Sequence, residues 1–408
     1  MRPPTASGPR AGVYVHFPWC LAKCPYCDFV SYVEPSIDHA GYASAVLREL
    51  CARAPLLAGR RVESVFFGGG TPSLWDTREL ERVLSAVRTL FDVSVDLEVT
   101  VECNPTSLDL DKARDLRAAG VNRLSIGVQS LDGERLRFLG RLHDGRGAIE
   151  AIDGALASGI ERVSADLIFG LPGQTPDAAR AEARTLAEMG LRHLSCYQLT
   201  IEPQTRFGEL AKRGRLPLAD EGAVAEAFIA IDETLSALGL RHYEISNYAS
   251  AGEEARHNLG YWRGDEYLGV GCAAYGFVMG ARRPDARGVF PGANGVRWRN
   301  AVRADRYVAK TSTVVAGAVG DDDGLSESTE CVAGPALMRE RIMLGLRVAH
   351  GVDLDALSVA LDTPGWTPAR ERAAAWLAER GRIVRTGPRV SIPTSAWLWA
   401  DDTCARLF

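Results

Sequence analysis

Three cysteines near the start of the chain have the residue type and spacing of a metal-binding motif. Cys20, Cys24 and Cys27 lie in the stretch YVHFPWCLAKCPYCDF, residues 14–29, at intervals of four and three. Thiolates bind metal ions and iron–sulfur clusters, and three of them are one ligand short of the usual four. Because Pro25 disfavours one continuous helix, we expect a loop wrapped around its ligand. The sequence therefore predicts a metal site whose remaining position is filled by something other than cysteine.

Two ligands are compatible with this motif. Structural zinc would need a fourth protein ligand, for which His16 or Asp28 is available. A [4Fe–4S] cluster on three thiolates leaves one iron open, and a small molecule with an amino and a carboxylate group can chelate that iron. The other cysteines are expected to be small buried hydrophobic residues in a reducing compartment. They are Cys51, Cys103, Cys196, Cys272, Cys331 and Cys404.

Further polar and glycine-rich segments follow apolar, β-rich runs. The run VFF leads into GGGTP, residues 68–72, and glycines let a backbone approach a ligand closely. Glu102 ends the next run, Gln129 lies at the end of the one after it, and Asp166 lies within the fifth. The carboxyl ends of parallel strands meet at one edge of a sheet, so these residues are expected to surround one site.

An alternating α/β fold must position these residues. Six β-rich runs occupy residues 13–17, 62–70, 96–102, 123–130, 163–170 and 194–200. Amphipathic stretches such as TRELERVLSAVRTLF and PDAARAEARTLAEMG lie between them. This alternation predicts right-handed βαβ units and a parallel sheet covered by helices. Several runs are apolar nearly throughout, which is typical of strands buried on both faces.

The motif CxxxCxxC, with Tyr26 directly before its third cysteine, resembles that of the radical S-adenosylmethionine (SAM) superfamily. The resemblance implies a partial (β/α)6, TIM-like barrel and a [4Fe–4S] cluster held by Cys20, Cys24 and Cys27. It further implies that SAM occupies the open iron and that the reduced cluster cleaves it to a 5′-deoxyadenosyl radical.

Within that superfamily, the chain resembles the branch that contains the oxygen-independent coproporphyrinogen III oxidase HemN and the haem chaperone HemW. The matching segments are YVHFPWC, GGGTP, ECNP, SIGVQS, LGRLHD and DLIFGLPGQT. The implied SAM site consists of Tyr14, Tyr26, Gly69, Gly70, Thr71, Glu102, Gln129, Arg141 and Asp166. In the oxidase, the positions that match Gln129, Arg141 and Asp166 contact a second SAM. For these three residues, ordinary hydrogen bonding at the barrel rim is the alternative.

The segment RHNLGYW is similar to the HNxxYW pattern that is associated with haem in the HemW branch. It contains His257, Asn258, Tyr261 and Trp262. Imidazole is a usual haem ligand, and aromatic side chains can flank a flat macrocycle. A packed aromatic turn with a hydrogen-bonded histidine is the alternative. The resemblance therefore predicts haem binding with His257 as the best candidate ligand.

The chain is expected to divide into five segments. Residues 1–12 are predicted to be disordered, 13–240 to form the barrel, 241–310 to complete it, 311–334 to be an acidic linker and 335–408 to form a C-terminal α+β domain. In that domain, helical patterns precede a hairpin across TGP, which suggests a winged-helix-like module.

Charge and hydropathy argue against several classes of function. The 408 residues carry a net charge of −5, and residues 335–408 carry only +2, from ten arginines and eight acidic residues. Neither value favours nucleic-acid binding. No apolar run approaches the roughly 18 residues of a membrane span. The first residues lack the hydrophobic region of a secretory signal, so a cytoplasmic protein is expected.

Two features favour the chaperone over the oxidase. After Cys27 the oxidase pattern continues with a small residue and another cysteine, where this chain has Asp28 and Phe29, and the oxidase carries a longer N-terminal arm. We therefore expect a protein that binds haem, SAM and a [4Fe–4S] cluster and delivers haem to acceptor haemoproteins of the respiratory chain. Membrane-associated partners and a homodimer are compatible with this expectation. Anaerobic decarboxylation of coproporphyrinogen III is the alternative from the enzyme class, and radical SAM modification of RNA is a third.

Overall fold

The computed structural model describes residues 9–280, 294–319 and 323–408. Six consecutive strands are parallel, and each pairs with the next along the chain. They are β1 (Arg10–Phe17), β2 (Arg61–Gly69), β3 (Asp92–Cys103), β4 (Arg123–Gln129), β5 (Arg162–Phe169) and β6 (His193–Gln198). The predicted partial (β/α)6, TIM-like barrel of an α/β protein is thus confirmed.

Helices follow each of these strands. They are α1 (His39–Arg53), α2 (Thr77–Leu90), α3 (Leu110–Ala118), α4 (Gly133–Phe138), α5 (Gly145–Ala157), α6 (Pro176–Glu188), α7 (Arg206–Lys212) and α8 (Glu221–Ala237). An aspartate or threonine side chain caps the amino end of every one of them by accepting a backbone N–H. Such a cap typically contributes about 1 kcal/mol. The caps therefore fix where each loop at the carboxyl edge of the barrel ends.

The chain after the barrel extends the sheet at both edges. β7 (Arg241–Glu244) and β8 (Asn247–Ala249) add antiparallel strands beside β6. Helix α9 (Arg256–Arg263) follows, and β9 (Glu266–Val270) then pairs in parallel with β1. Beyond β9 lie β10 (Tyr275–Met279), β11 (Asn294–Asn300), α10 (Ala304–Lys310) and β12 (Ser326–Ala333). The strands β9 to β12 pair with one another in antiparallel fashion.

A small C-terminal region has its own hydrophobic core, which includes Leu337, Met338, Leu377 and Trp397. It consists of α11 (Gly334–Gly345), β13 (Val352–Asp353), α12 (Leu354–Leu361), α13 (Pro368–Glu379), β14 (Val384–Thr386), β15 (Arg389–Ser391) and α14 (Ala400–Arg406). Short 3-10 helices span Ala54–Leu57, Pro72–Leu74, Pro105–Ser107 and Thr394–Trp399. The predicted order of helices followed by a hairpin through Gly387 is confirmed.

The structure corrects three expectations. The predicted linker 311–334 contains β12, whose residues are mostly polar and exposed, so that no hydrophobic pattern announced the strand. Residues 1–8 of the predicted disordered segment lie outside the described residues, whereas Arg10 already begins β1. Cys51 and Cys331 are exposed rather than buried. β12 depends on its partner β11 for hydrogen bonds, and a sequence pattern that reflects only burial cannot reveal such a strand.

No helix in the described ranges is both long enough and apolar enough to cross a bilayer.

Candidate functional site

The three motif cysteines lie on an irregular loop between β1 and α1, as predicted. The loop is closed at its base, where the backbone N–H of Cys20 donates to the carbonyl of Tyr32 at 2.9 Å and that of Tyr32 donates to Pro18 at 2.7 Å. A tight turn follows, in which the N–H of Cys27 donates to the carbonyl of Cys24 at 3.2 Å. All three cysteines are half-buried, so the loop does not enclose them completely.

The thiols have polar neighbours that suit a bound metal group. The Thr71 hydroxyl donates to Cys20 Sγ at 3.4 Å, and Arg141 Nη1 lies 3.6 Å from Cys24 Sγ. Burial, together with the charges of Cys24 and Cys20, raises the pKa of Cys27 to about 11, although a backbone hydrogen bond from Phe29 and the charge of Lys23 act in the opposite direction. Because only thiolates ligate metal, binding would displace these protons, and the nearby cation and hydroxyl would offset the resulting negative charge.

A site for a single metal ion, such as the suggested zinc, has less support in the structure. No three His, Cys, Asp or Glu side chains within the described ranges converge on one ion-sized site. His16, one of the two suggested zinc ligands, has Nε2 2.9 Å from the carbonyl of Val30, which can only accept a hydrogen bond. Its Nδ1 therefore accepts from the Tyr14 hydroxyl at 3.0 Å. Burial lowers the pKa of His16 to about 4, so this imidazole is neutral and serves to tie β1 to the cysteine loop.

The glycine segment at the end of β2 is enclosed so closely that side chains are excluded. Gly69 has a φ of +109°, and a Cβ there would lie 2.5 Å from the His16 ring. A Cβ on Gly70 would lie 2.6 Å from the carbonyl oxygen of Trp19. The N–H groups of Gly70 and Thr71 donate to Phe17 and Trp19 at 2.7 and 2.8 Å. The glycines thus attach the end of β2 to the chain immediately before the first cysteine.

Two carboxyl groups lie behind this segment inside the barrel. Glu102 Oε2 accepts from the N–H of Gly69 at 3.1 Å, and burial, followed by the charge of Asp166, raises the pKa of Glu102 to about 8. Burial raises the pKa of Asp166 to about 6, while hydrogen bonds from Ser195 and Ser125 and the charge of Arg141 act in the opposite direction. Carboxyl groups so poorly solvated would gain from a cationic or hydroxyl-bearing ligand.

Arg141 has an unusual hydrogen-bonding state, and Gln129 has an unusual backbone conformation. Arg141 Nη2 donates to the carbonyl of Gly127 at 2.6 Å, whereas its Nε is buried without a hydrogen-bond partner in the described part of the chain. Gln129 has a φ of +67° at a register shift between β4 and β5. Such a conformation costs a non-glycine residue about 1 kcal/mol or more and is found preferentially at ligand sites. Both features are found preferentially at ligand sites, which agrees with the prediction made for these two residues.

The structure brings the predicted SAM residues to the cysteine end of the barrel, at two depths. Tyr26 is half-buried beside Cys24, with its ring 6.4 Å from that of Phe207. Tyr14 lies deeper, where burial and the charge of Glu102 raise its pKa. Together with the thiols, these residues form a polar mouth at the carboxyl ends of the strands.

The HNxxYW residues lie at the opposite end. Helix α9 crosses the amino ends of the strands, and the backbone N–H of His257 donates to Glu98 Oε1 at 3.1 Å. Glu98 forms a buried ion pair with Arg123 at 3.0 Å. His257 Nδ1 lies 2.9 Å from the Ser64 hydroxyl, and Nε2 lies 3.0 Å from that of Tyr261. Both ring nitrogens are thus engaged, and burial lowers the pKa of His257 to about 3.

The remaining motif residues share this helix. Trp262 forms a side-chain hydrogen bond with Glu244. Burial raises the pKa of Glu244 to about 7. Asn258 is half-buried. The helix ends at Gly264, which has a φ of +72° and is approached by Arg341 of α11 so closely that no Cβ fits. The C-terminal region therefore supports the end of the motif helix.

A row of neighbouring rings connects the two ends through the barrel interior. The ring of His257 lies 5.0 Å from Phe66, Phe66 lies 6.2 Å from Tyr14, and Tyr14 lies 6.0 Å from His16. Sequence reasoning did not identify Ser64, Phe66, Glu98 or Arg123. The period-two alternation of Gly12, Tyr14 and His16 on β1, and of Ser64 and Phe66 on β2, is the signal that could have found the inward-facing pair.

Comparisons with known proteins agree with this architecture. The model of the Radical SAM superfamily matches residues 14–206, and that of the HemN C-terminal domain matches residues 333–399. Among solved structures, coproporphyrinogen III oxidase (HemN) from Escherichia coli superimposes with a TM-score of 0.78 over 98% of this chain and 90% of that one. Its sequence is only 22% identical, so this match shows a shared fold.

Relatives in sequence are more specific. The protein named Heme chaperone HemW of Escherichia coli K12 is 41% identical over 68% of this chain and 72% of its own length. That of Mycobacterium tuberculosis H37Rv is 34% identical over 98% of this chain and 95% of its own length. Membership of the radical SAM superfamily implies a [4Fe–4S] cluster and SAM. With both domains matched and a relative aligned along nearly its whole length, the chain belongs to the HemW family of radical SAM proteins.

Proposed function

We propose that this protein is a haem chaperone of the cytoplasm, which binds haem together with a SAM-ligated [4Fe–4S] cluster and delivers haem to acceptor haemoproteins, including respiratory ones. The observation that carries the proposal is the similarity to a named haem chaperone over 98% of the chain. Partners at the membrane and a homodimer are compatible with it, and no nucleic acid is expected.

The donor set at the mouth fits the cluster and its ligand. Cys20, Cys24 and Cys27 would hold three irons, and Thr71 and Arg141 would donate to the resulting thiolates. When bound, such a cluster supplies the electron that cleaves SAM. The backbone of the glycine segment and the poorly solvated carboxyl of Glu102 suit the amino-acid end of SAM.

The polar groups deeper in the mouth suit a second ligand or a structural role. Arg141 and Asp166 lie close enough for their charges to interact, and the side chains of Gln129 and Arg141 both lie beside Gly127. The unpartnered Nε of Arg141 favours a ligand with an acceptor group, such as a second SAM carboxylate.

His257 is the proposed haem ligand, and its environment sets a condition. A neutral imidazole is the form that ligates iron, which agrees with its lowered pKa of about 3. Both nitrogens are hydrogen-bonded, so ligation requires that Ser64 or Tyr261 release the ring. Haem binding through His257 would therefore accompany a movement of α9.

The test is an anaerobic haem titration of cluster-loaded protein, followed in the Soret region, for the wild type, His257→Ala and the control His350→Ala. His350 is an exposed histidine outside the motif. Saturation near one haem per chain, weakened or spectrally altered only by His257→Ala, would support the chaperone and its ligand. Saturation that is equal in all three proteins would retain the function and move the ligand elsewhere. Absence of saturable binding would contradict the proposal.

The second candidate is the oxidase reaction, favoured by the overall fold shared with HemN. Asp28 and Phe29 stand on the exposed surface of the cysteine loop, where the oxidase pattern has a small residue and a cysteine. Anaerobic formation of protoporphyrinogen from coproporphyrinogen III, with SAM and a reductant, would establish this activity.

A further inference from the structure

A cavity of about 530 Å³ opens beside the cysteine loop. Its walls are the loop around Cys24 and Cys27, the end of α4, and α7 with the segment that follows it. Sites for small molecules usually occupy roughly 300–1,000 Å³, so the cavity is large enough for a ligand of the size of a cofactor.

The walls are fastened to one another. The N–H of Phe207, at the start of α7, donates to the carbonyl of Pro25 at 2.9 Å. Gly140, after α4, has a φ of +67°, and a Cβ there would lie 2.7 Å from Pro25 Cδ. Both helices therefore pack directly against the turn between Cys24 and Cys27, and the cavity is a built feature of the cysteine loop.

The lining has a distinct chemistry. The rings of Phe138 and Phe207 lie 4.8 Å apart at 35°, and Leu210, Leu216 and Pro217 continue this apolar wall. The exposed cations Lys23, Arg137 and Arg206 stand around it. Among the described lining residues there is no carboxylate, although the whole chain carries a net charge of −5. A large apolar ligand with anionic groups at its edge matches such a surface.

We propose that haem docks in this cavity, with its macrocycle against Phe138 and Phe207 and its propionates toward Lys23, Arg137 and Arg206. The inference rests on the proposed chaperone function and names a site for the cargo. This docking position is separate from His257, which is only 4% exposed and lies at the opposite end of the barrel. One haem per chain would therefore dock in the open cavity first, and ligation by His257 would be a later step. Haem in this position would lie against the loop that carries Cys24 and Cys27, so that cluster and cargo would meet at one surface.

The test uses cluster-loaded protein with haem and, separately, metal-free protoporphyrin IX, which has the same ring and carboxylates but no iron to ligate. The variants are Arg137→Glu combined with Arg206→Glu, and Phe138→Ala. The control is Arg114→Glu, because Arg114 and Arg137 are both exposed and pair with an acidic residue three positions earlier. We expect the double charge reversal to raise the Kd of both porphyrins about tenfold and the control to leave it within about twofold, since exposed ion pairs contribute modestly each.

The outcomes separate the two proposals. If the wild type binds neither porphyrin, the chaperone function itself fails. If it binds haem but all variants bind both porphyrins equally, the cavity proposal is wrong and the chaperone function stands. If the cavity variants lose the iron–sulfur absorption while Arg114→Glu retains it, the cavity serves the cluster and the docking proposal is overturned.

Discussion

The same strands build two chemically different ends of the barrel. At the carboxyl ends, Arg141 Nε is buried without a partner in the described residues, Gln129 is strained, and Glu102 is poorly solvated. At the amino ends, His257 uses both ring nitrogens, and its backbone N–H meets the buried pair of Glu98 and Arg123. At the first end, the unpartnered Arg141 Nε is free to meet a ligand, whereas haem at His257 would first have to displace a hydrogen bond of the ring. The amino end therefore combines buried contacts that stabilise the fold with a histidine that must be released before it can bind a ligand.

The largest expected effect concerns the mouth. Replacement of Cys20, Cys24 or Cys27 by alanine should abolish the iron–sulfur absorption of anaerobically reconstituted protein, because two thiolates cannot hold a cubane cluster. The exposed Cys51 on α1 offers a matched control, and Cys51→Ala should retain full absorption. If all three motif variants stayed brown, the ligand assignment would be wrong.

A smaller but substantial effect is expected at the amino end. Arg123→Met leaves Glu98 buried without its ion-pair partner and should lower the free energy of unfolding by about 3–5 kcal/mol. Urea-induced unfolding of the protein measures this change. Arg114→Met, which removes an exposed arginine that pairs with Asp111, should change the value by less than about 0.5 kcal/mol. Equal effects of the two variants would contradict the idea that the amino end is built for stability.

The smallest effect depends on pH and tests the mouth again. The pKa of Glu102 is about 8 in the folded protein and 4.5 in the reference state, so the folded state retains a proton that the unfolded state releases between these values. The free energy of unfolding therefore falls as pH rises through this window. Glu102→Gln removes this pH dependence. The free energy of unfolding of the variant minus that of the wild type should therefore increase by at least about 1 kcal/mol between pH 5 and pH 8.5.

Unfolding curves of cluster-free and SAM-free protein at both pH values check this expectation, with Glu134→Gln as an exposed control. A difference between Glu102→Gln and wild type that does not vary with pH would show that this carboxyl is solvated, and the contrast between the two ends would weaken.

Much of the fold was predictable because its strands are buried on both faces. The runs around Val13 and Val65 are apolar nearly throughout. β1 begins three residues before its predicted run, and β2 is displaced from its prediction by one residue at each end. β12 was missed because its side chains are polar and its stability comes from hydrogen bonds and ion pairs with β11, such as Arg297 with Glu330. The glycine segment and the cysteine motif could be recognised from the sequence because the spacing of their residues is local.

The placement of residues that are distant in sequence was not predictable. Nothing in RHNLGYW indicates that α9 lies at the amino ends of the strands, because the turn through β7 and β8 decides its direction. In the same way, Phe138 and Phe207 meet only because α4 and α7 both pack against the turn at Pro25.

The sequence by itself determined the alternation of the six parallel strands with helices, the thiol motif and the membership of the family, because periodicity, helix caps and short motifs are local properties of a chain. The tertiary structure alone decided that His257 is enclosed, that burial and the charge of Asp166 raise the pKa of Glu102, and that an apolar cavity with a cationic rim lies beside the cysteines. These properties depend on burial and on distances between side chains from different elements, and both exist only after the chain has packed.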